Sequence, residues 1–269
     1  EFAKAFDATG NKWVDGAIAG GGGTARPVMI SRITGKPVGI KAAIGDLDFW
    51  YELTELMEST GRGPDFVTVD GGEGGTGAAP LIFTDSVSLP FQIGFAQVYR
   101  IFAARGLSEK VTFIGGGKLG LPDNAIVAFA LGIDMVNVAR EAMLAIGCIQ
   151  AQKCHTDTCP TGVATQNDWL ARGLVPEVKA EREANYIRTL RRDLLKVAQA
   201  CGVEHPGLIG CDSVDILTGR TVSTPLDAVY GYEPGMGLPS DADRRAVIRL
   251  MSTQASEGGS APPSVTSVG

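Results

Sequence analysis

The sequence predicts an α/β protein built on a parallel sheet, which is either doubly wound or rolled into a barrel. One observation is a repeated unit: from Lys36 onward, a short β-branched run, a glycine-rich turn and an amphipathic helix recur four times. Strands that alternate with helices at this spacing are typical of parallel sheets. The other observation is that glycine clusters follow the predicted strands, where functional loops lie in both folds. Because four units make half of an eight-stranded barrel, we expect a fragment or partial barrel that needs another chain segment.

Each of the four units joins one predicted strand to one predicted helix. The strands lie within PVGIKAAIG (37–45), DFVTVD (65–70), KVTFIGGG (110–117) and DMVNVAR (134–140). The helices lie within DLDFWYELTELMESTG (46–61), LPFQIGFAQVYRIFAARG (89–106), LPDNAIVAFALG (121–132) and EAMLAIGCIQ (141–150). Asp46 is expected to cap the first helix and Gly61 to end it.

The chain on either side of these units follows other patterns. Residues 1–35 are unplaced, although WVDGAIAG and RPVMIS within them could form strands. After the units, residues 176–201 predict a long amphipathic helix, and CDSVDILTGRTVS predicts a loop, a short helix and a turn. Residues 241–269 form a tail, which is rich in Ser, Gly and Pro from about residue 252 and is expected to be disordered there.

Composition and charge narrow the classes of function. A net charge of -6 and the lack of a Lys/Arg cluster argue against a nucleic-acid-binding surface. No apolar run approaches the roughly 20 residues of a membrane-spanning helix, and no signal peptide opens the chain. We therefore expect a cytoplasmic protein without a membrane span.

Two consecutive strand ends indicate a phosphate site. Gly115, Gly116 and Gly117 offer backbone N–H groups after the third predicted strand. One unit later, Ala139 and Arg140 lie at a strand end and at the start of a helix, where the helix dipole and a forked guanidinium attract an anion. Each run alone could be a plain turn, and together they favour phosphate.

Lys41 is a charged residue within an apolar strand. A lysine on a strand that is buried on both faces must be paired or point into a site, because burying an isolated ammonium is costly. It could then lie over a cofactor or an anionic substrate, or it could simply reach solvent at the strand end. The following loop, DGGEGGTGA at 70–78, is either a tight turn or a backbone that lies against a planar ligand.

Three of the five cysteines, Cys148, Cys154 and Cys159, lie within twelve residues. They could be free thiols, or they could bind zinc together with His155, although zinc sites more often use paired Cys-x2-4-Cys knuckles. Iron–sulfur clusters take thiolates largely from one loop, often with proline after the last cysteine, as Pro160 is here. Three local thiolates without an evident fourth favour a three-iron cluster.

Several motifs resemble one family, the FMN-binding iron–sulfur synthase domain of glutamate synthase, in the short stand-alone form of archaea and many bacteria. They are KPVGIK, PDFVTVDGGEGGTGAAP, GLSEKVTFIGGGKLG and ALGIDMVNVAREAMLAIGCIQAQKCHTDTCPTGVATQ. The resemblance covers about residues 33–239. It implies a (β/α)8 TIM-barrel fold, of which residues 36–240 hold the C-terminal half, with a cluster loop at 148–159 and C-terminal helices.

The resemblance also implies two cofactors and the residues that hold them. FMN would lie at the barrel mouth beside Lys41, and a [3Fe-4S] cluster would be bound by Cys148, Cys154 and Cys159. The implied FMN-binding residues are Lys41, Gly74, Gly75, Thr76, Gly115, Gly116, Gly117, Ala139 and Arg140. The family often has Asp or Ser in the loop where this chain has three glycines, so the phosphate contacts are expected to differ in detail.

The implied reaction is the reductive amination of 2-oxoglutarate to glutamate through 2-iminoglutarate, with Lys41 as a catalytic residue. Electrons would come from an external donor such as ferredoxin or an NAD(P)H-oxidising subunit. No glutaminase domain is visible, so ammonia would come free or from a separate glutaminase subunit. Two alternatives stay open: a related FMN-dependent N-methylglutamate synthase, and a non-catalytic iron–sulfur electron-transfer or scaffold subunit.

Overall fold

A computed structural model describes residues 36–74, 81–85 and 87–257 of the 269. The two strands expected within residues 1–35 lie outside the described residues, as do Gly75 and Thr76.

The four predicted βα units are confirmed. Four parallel strands form one sheet in the order of the chain, β1-β2-β3-β4. They are β1 (Gly39–Ala43), β2 (Phe66–Asp70), β3 (Thr112–Gly116) and β4 (Met135–Asn137). A helix follows each strand: α1 (Asp48–Thr60), α2 (Phe91–Ala104), α3 (Pro122–Ala130) and α4 (Arg140–Ala145).

Helix α1 shows how local signals set these boundaries. The Asp46 carboxylate accepts the backbone N–H of Asp48 at 3.0 Å, although the N-cap position itself is Leu47. Gly61 ends the helix in the left-handed conformation, with φ of 64°, which residues with a Cβ rarely adopt. The apolar stripe of the helix buries Trp50, Leu53 and Met57.

The core lies between the helices and one face of the sheet. Val67, Val69 and Phe113 point from that face into the helices and are fully or almost fully buried. The Phe113 ring meets the Phe102 ring edge-on at 5.2 Å and the Phe95 ring edge-on at 5.6 Å. Edge-on contacts are favourable for aromatic rings, so these residues fix the helices on the sheet.

The opposite face of the sheet carries the residues that alternate with this core. The strand register places Lys41, Thr68, Ile114 and Met135 in one row across the four strands. Those four side chains are not part of the hydrophobic core that the described helices complete. A sheet with helices on one face is compatible with half of a TIM barrel and does not match a doubly wound sheet. A closed barrel is not present in the described residues.

The predicted long helix is confirmed as α6 (Pro176–Ala200), which follows the short helix α5 (Asp168–Ala171). Helix α6 buries Leu190, Leu194 and Ala198 and packs against α3 and α4. Among the described residues, no helix is long and apolar enough to cross a membrane.

The prediction of a loop, a short helix and a turn after α6 is wrong in part. Strands β5 (Asp215–Leu217) and β6 (Ser223–Pro225) pair as an antiparallel hairpin, and α7 (Leu226–Tyr230) follows. The N–H groups of Thr218 and Gly219 both bond to the carbonyl of Val222, which closes the turn. The short strands alternate over too few residues for the pattern to be recognised from sequence.

The tail expected from residue 241 is described only as far as residue 257, and that part is helical. Helix α8 (Asp241–Glu257) begins at the start of the tail and continues beyond residue 252. Ser240 caps this helix, because its hydroxyl accepts the N–H of Asp243 at 3.2 Å. A polar composition suggested disorder, and the local cap outweighed it.

Candidate functional site

A cavity of about 570 Å³ opens at the carboxyl ends of the strands. The last residues of β2, β3 and β4, which are Asp70, Gly116 and Asn137, all line it. Parallel pairing aligns these three residues in one row, so residues far apart in the chain meet at one edge of the sheet. The volume is in the range of pockets that bind small ligands and cofactors.

Lys41 lines this cavity, and its side chain is paired. Its ammonium group lies 2.7 Å from a carboxylate oxygen of Asp70. Asp70 is on the same face of the sheet, two residues beyond Thr68, the residue that pairs with Lys41. The Lys41 side chain is 61% exposed, so it is both partnered and open to the cavity. The ammonium has three hydrogens, so it can keep Asp70 and still donate to a bound anion.

Only two of the three glycines predicted to contact phosphate line the cavity. Gly116 and Gly117 line the cavity, whereas Gly115 does not. A Cβ on Gly115 would lie 2.7 Å from the Phe91 ring and 2.9 Å from Leu119, because strand alternation turns this residue into the core. The site proposed below therefore does not include Gly115.

Glu73 explains the glycine at position 117. Both carboxylate oxygens of Glu73 accept the N–H of Phe91, at 3.0 and 3.1 Å, at the first residue of α2. A Cβ on Gly117 would lie 3.0 Å from the Glu73 carboxylate and 2.8 Å from the Phe91 side chain. The φ of 148° at Gly117 also favours glycine. A carboxylate at a helix N-terminus is stabilised by the helix dipole, so Glu73 forms a fixed wall of the cavity.

Two cations that line the cavity, Lys118 and Arg140, converge on Asp85. The Asp85 carboxylate oxygen lies 3.2 Å from the Lys118 ammonium and 3.2 Å from an Arg140 nitrogen. Burial raises the pKa of Asp85, but the hydrogen bonds and charges of Lys118 and Arg140 outweigh it and lower that pKa below its ordinary value. Arg140 also donates to the carbonyl oxygens of Glu73, at 3.2 Å, and Gly74, at 2.9 Å.

Arg140, Ala139 and Gly74 line the same cavity, and the structure adds Lys118, Asp85 and Asn137 to them. Lys118 directly follows the predicted glycine run, so its place after a strand end could have identified it. Asp85 carries no such signal, since it lies in a loop far from Arg140 in the chain. Asn137, at the end of the short β4, could have been found by the same strand-end rule as Lys118.

The three clustered cysteines lie at or beside the same cavity. Cys148 and Cys154 line it, whereas Cys159 is buried, with 7% exposure, outside the lining. All five cysteines are free thiols. His155, the expected fourth zinc ligand, has an exposed side chain.

Hydrogen bonds around Cys159 favour its thiolate form. Burial raises the pKa of Cys159, but hydrogen bonds from the Thr161 hydroxyl and from the backbone N–H groups of Ala164, Thr161 and Val163 outweigh it and lower that pKa to about 7. Cys148 accepts the N–H of Gln150 at 3.3 Å. Thiolates are the form of cysteine that binds metals.

The two expected cofactors fit this arrangement to different degrees. The cavity combines three cations with a strand-end floor and an apolar wall that includes Met143, which suits an anionic, planar cofactor such as FMN. The cysteines have the right donor chemistry for iron. Across residues 36–74, 81–85 and 87–257, however, no three His, Cys, Asp or Glu side chains are gathered as a metal site. No step below is therefore routed through a cluster.

Comparisons with known proteins identify the family of the chain. The family described as "Conserved region in glutamate synthase" matches residues 33–204. The glutamate synthase large subunit-like protein YerD of Bacillus subtilis is 43% identical over 171 residues, which cover 64% of this chain and 33% of that protein.

Two further relatives are named as glutamate synthases. The archaeal glutamate synthase [NADPH] of Archaeoglobus fulgidus is 34% identical over 62% of this chain and 32% of its own length. The archaeal-type glutamate synthase [NADPH] of Thermotoga neapolitana is 31% identical over 74% of this chain and 37% of its own length. The chain spans about a third of the length of these relatives. From the match over residues 33–204, the chain belongs to the glutamate synthase family.

Proposed function

We propose that this chain is the FMN-binding synthase portion of a glutamate synthase, which reductively aminates 2-oxoglutarate to glutamate through 2-iminoglutarate. The observation that carries this proposal is the single cavity at the strand ends, where Lys41, Lys118 and Arg140 meet two of the three clustered thiols. Three cations around one cavity suit a ligand set that is itself anionic. FMN carries a phosphate, and 2-oxoglutarate carries two carboxylates.

The phosphate of FMN is proposed to bind at Lys118 and Arg140, beside Gly116, Gly117 and Ala139. Arginine and lysine donors form short, charge-assisted hydrogen bonds with phosphate oxygens. Gly74, Gly75 and Thr76 are proposed to lie along the cofactor. When bound, FMN supplies the hydride for reduction of the imine, and the protein supplies orientation and charge.

Lys41 is proposed to act on the substrate side of the cavity. Its ammonium can hold a carboxylate of the 2-oxo acid or stabilise negative charge that develops next to it. Asp70 keeps the ammonium at the end of the strand through the 2.7 Å contact. Condensation of the ketone with ammonia releases water, and addition of a hydride and a proton to the imine completes glutamate.

Cys148, Cys154 and Cys159 are proposed to hold a [3Fe-4S] cluster, which would supply electron transfer from an external donor when bound. This proposal is supported by the spacing of the three cysteines and by the hydrogen bonds that lower the pKa of Cys159. The donor is proposed to be ferredoxin or an NAD(P)H-oxidising subunit. The ammonia is proposed to arrive free or from a separate glutaminase.

The rest of the barrel is proposed to come from another chain segment. The sheet has two open edges among the described strands, β1 and β4, and the face that carries Lys41 lies outside the hydrophobic core of the described helices. Four further strands would pair with both edges and enclose that face. Complete activity is therefore proposed for this chain together with that segment.

The test is cofactor binding followed by turnover. The purified chain is titrated with FMN, with quenching of flavin fluorescence as the signal. It is then mixed with a polypeptide that carries the other barrel strands, and glutamate is measured from 2-oxoglutarate, ammonium and chemically reduced FMN. Glutamate formation is expected, and Lys41→Met should lower its rate roughly 100-fold without changing FMN content.

Lys196→Met is the matched control, because Lys196 is also a mostly exposed lysine paired with an aspartate, Asp193, on a distant helix. It should leave the rate unchanged. Bound iron without any FMN affinity would instead support an electron-transfer subunit, and a preference for methylamine over ammonium would support an N-methylglutamate synthase.

A further inference from the structure

We propose that the Asp85 carboxylate occupies the phosphate-binding position of the cavity and competes with an incoming phosphate for Lys118 and Arg140. The inference rests on the proposed function only for the identity of the ligand as FMN. The competing group, Asp85, belongs to this chain and would set how tightly the site binds any phosphate.

The first step of the argument is geometric. One oxygen of Asp85 lies 3.2 Å from the Lys118 ammonium and 3.2 Å from an Arg140 nitrogen. All three residues line the cavity, next to Gly116 and Gly117. Among the described residues, Asp85 is the only carboxylate paired with either cation. A phosphate oxygen that accepted from Lys118 and from the same Arg140 nitrogen would compete with this carboxylate oxygen.

Arg140 does not need Asp85 for its orientation. The carbonyl oxygens of Glu73 and Gly74 already accept hydrogen bonds from its guanidinium at 3.2 and 2.9 Å. A carboxylate that oriented the guanidinium would lie behind it, away from the ligand. Asp85 lies between the two cations, so it matches a competitor better than a positioning residue.

The existing ion pairs are weak enough to be displaced. The side chains of Lys118, Asp85 and Arg140 are 38%, 41% and 26% exposed. Ion pairs that are this open to water contribute little to stability. A phosphate brings up to two negative charges and three acceptor oxygens, so it can outcompete a single carboxylate for the same donors.

The backbone on both sides of the pair is unusual. Asp85 has φ of 58° and Lys118 has φ of 53°, which is the left-handed region that residues with a Cβ rarely adopt. Such conformations concentrate at ligand sites and persist only where contacts hold them. The Lys118–Asp85 ion pair joins these two residues directly.

The test compares FMN with riboflavin, which lacks the phosphate. Wild-type protein and Asp85→Asn are titrated with each flavin by fluorescence quenching. Asparagine has nearly the same size and tolerates the left-handed backbone, so the substitution mainly removes charge. The Kd for FMN should fall roughly three- to tenfold in Asp85→Asn, whereas the Kd for riboflavin should not change.

Asp193→Asn is the matched control. The Asp193 carboxylate also contacts two cations, Arg192 at 3.2 Å and Lys196 at 3.7 Å, but it lies outside the cavity. It should leave both Kd values unchanged. Urea unfolding of each variant verifies that the chains under comparison are folded.

The outcomes separate this inference from the proposed function. An FMN Kd that is unchanged or higher in Asp85→Asn would overturn the competitor role, although FMN binding itself would stand. If wild-type protein binds neither flavin, the proposed function fails, and titration with inorganic phosphate by protein NMR decides the inference. Tighter phosphate binding by Asp85→Asn would support it, and equal or weaker binding would overturn it.

Discussion

Every lysine or arginine that lines the cavity already has a carboxylate beside it. Lys41 contacts Asp70, and Lys118 and Arg140 share Asp85. An anionic ligand that enters the cavity therefore meets cations that are already paired with an aspartate. Its affinity depends on how much better it matches these cations than the aspartates do, and added salt should weaken both kinds of pair at these exposed positions.

His205 lies apart from the cavity and links stability to pH. Its ring nitrogen Nδ1 accepts the N–H of Gly207 at 3.1 Å, which requires the unprotonated form at that atom. Burial, with a smaller contribution from the charge of Arg191, lowers the pKa of His205 below its ordinary value. The folded protein therefore binds this proton less readily than the unfolded chain does.

We predict that His205→Asn reduces the loss of stability in acid. A depressed histidine pKa gives stability that is present above the unfolded-state pKa of about 6.5 and is lost as pH falls through the folded-state value. Asparagine offers an acceptor at the same place and does not titrate. Between pH 7 and 5, the free energy of unfolding should fall by roughly 1 kcal/mol less in the variant than in wild type, as measured by urea unfolding.

The protein has only one other histidine, His155, and it is exposed, so His155→Asn is the control. The control should keep the pH dependence of wild type. Identical slopes for wild type and His205→Asn would contradict the role given to His205.

At the scale of elements, the loop between β2 and α2 both walls the cavity and starts a helix. Glu73 accepts the first N–H of α2 through its side chain, and its carbonyl accepts from Arg140. The same few residues therefore connect the stability of α2 to the position of a cation at the site.

We predict that Glu73→Ala lowers the free energy of unfolding by about 1 kcal/mol, because a helix N-terminus loses its acceptor and its favourable charge. The backbone bond to Arg140 is kept. Urea unfolding at pH 7 measures the change. Glu177→Ala is the comparison, since Glu177 lies in the first turn of α6 and no side chain caps that helix. An equal, small effect of both substitutions would show that Glu73 does not act as a cap.

The loop at 148–159 is predicted to bind iron through its cysteines. Cys154→Ser should abolish bound iron, because a three-thiolate site that loses one ligand cannot hold its cluster. Cys201→Ser, at an exposed thiol just after α6, should retain full iron content. Metal analysis and the absorption spectrum of anaerobically reconstituted protein give the measurement. Equal iron in both variants would contradict the assignment of Cys154.

The elements themselves could be predicted because their signals are local. The alternation of β-branched runs and amphipathic stripes predicted four strands, their helices and α6. The strand-end rule also predicted that Lys41 and Arg140 lie at one edge, since parallel strands bring their carboxyl ends together, whereas the place of Cys148 near them was implied only by the family resemblance. Membership of the glutamate synthase family was also predicted from sequence, because the motifs that indicate it lie around the strand ends and the cysteine loop.

The remaining features depend on contacts between distant residues. Glu73 meets Phe91 eighteen positions later, and Arg140 meets Glu73 across 67 positions. Gly115 turns away from the cavity because residues alternate between the two faces of β3, and the Phe91 ring beside it comes from a different part of the chain. Hairpin β5–β6 and helix α8 were missed because three-residue strands and a polar helix give weak periodicity.

At the scale of the whole molecule, the described helices pack a hydrophobic core against only one face of the sheet. Helices α1 to α3 share a core with one face, and the face with Lys41 and Thr68 lies outside that core. Strands β2 and β3 each have two neighbours, and β1 and β4 each have one. Protection of backbone amides from hydrogen exchange should therefore be greater in the central strands than in the edge strands.

We predict that amide hydrogens of β2 and β3 exchange more slowly than those of β1 and β4 when this chain is alone. An amide without a strand partner is open to water and exchanges through small fluctuations. Hydrogen exchange followed by NMR measures each strand. Addition of a polypeptide with the other barrel strands should slow exchange in β1 and β4 specifically. Edge strands that were as protected as the centre in the isolated chain would contradict an open sheet.

The order β1-β2-β3-β4 has a consequence for how such a protein can be divided and rejoined. Each strand finds its partners in the immediately preceding and following units, so the sheet can be assembled progressively along the chain, with short loop closures. In the proposed barrel, new strand pairs with a complementary set of units would form only at the two edge strands, β1 and β4. A split of the gene, or an exchange of one half for another, would therefore change only these two pairings and would keep the pairing of β1 to β4 with one another.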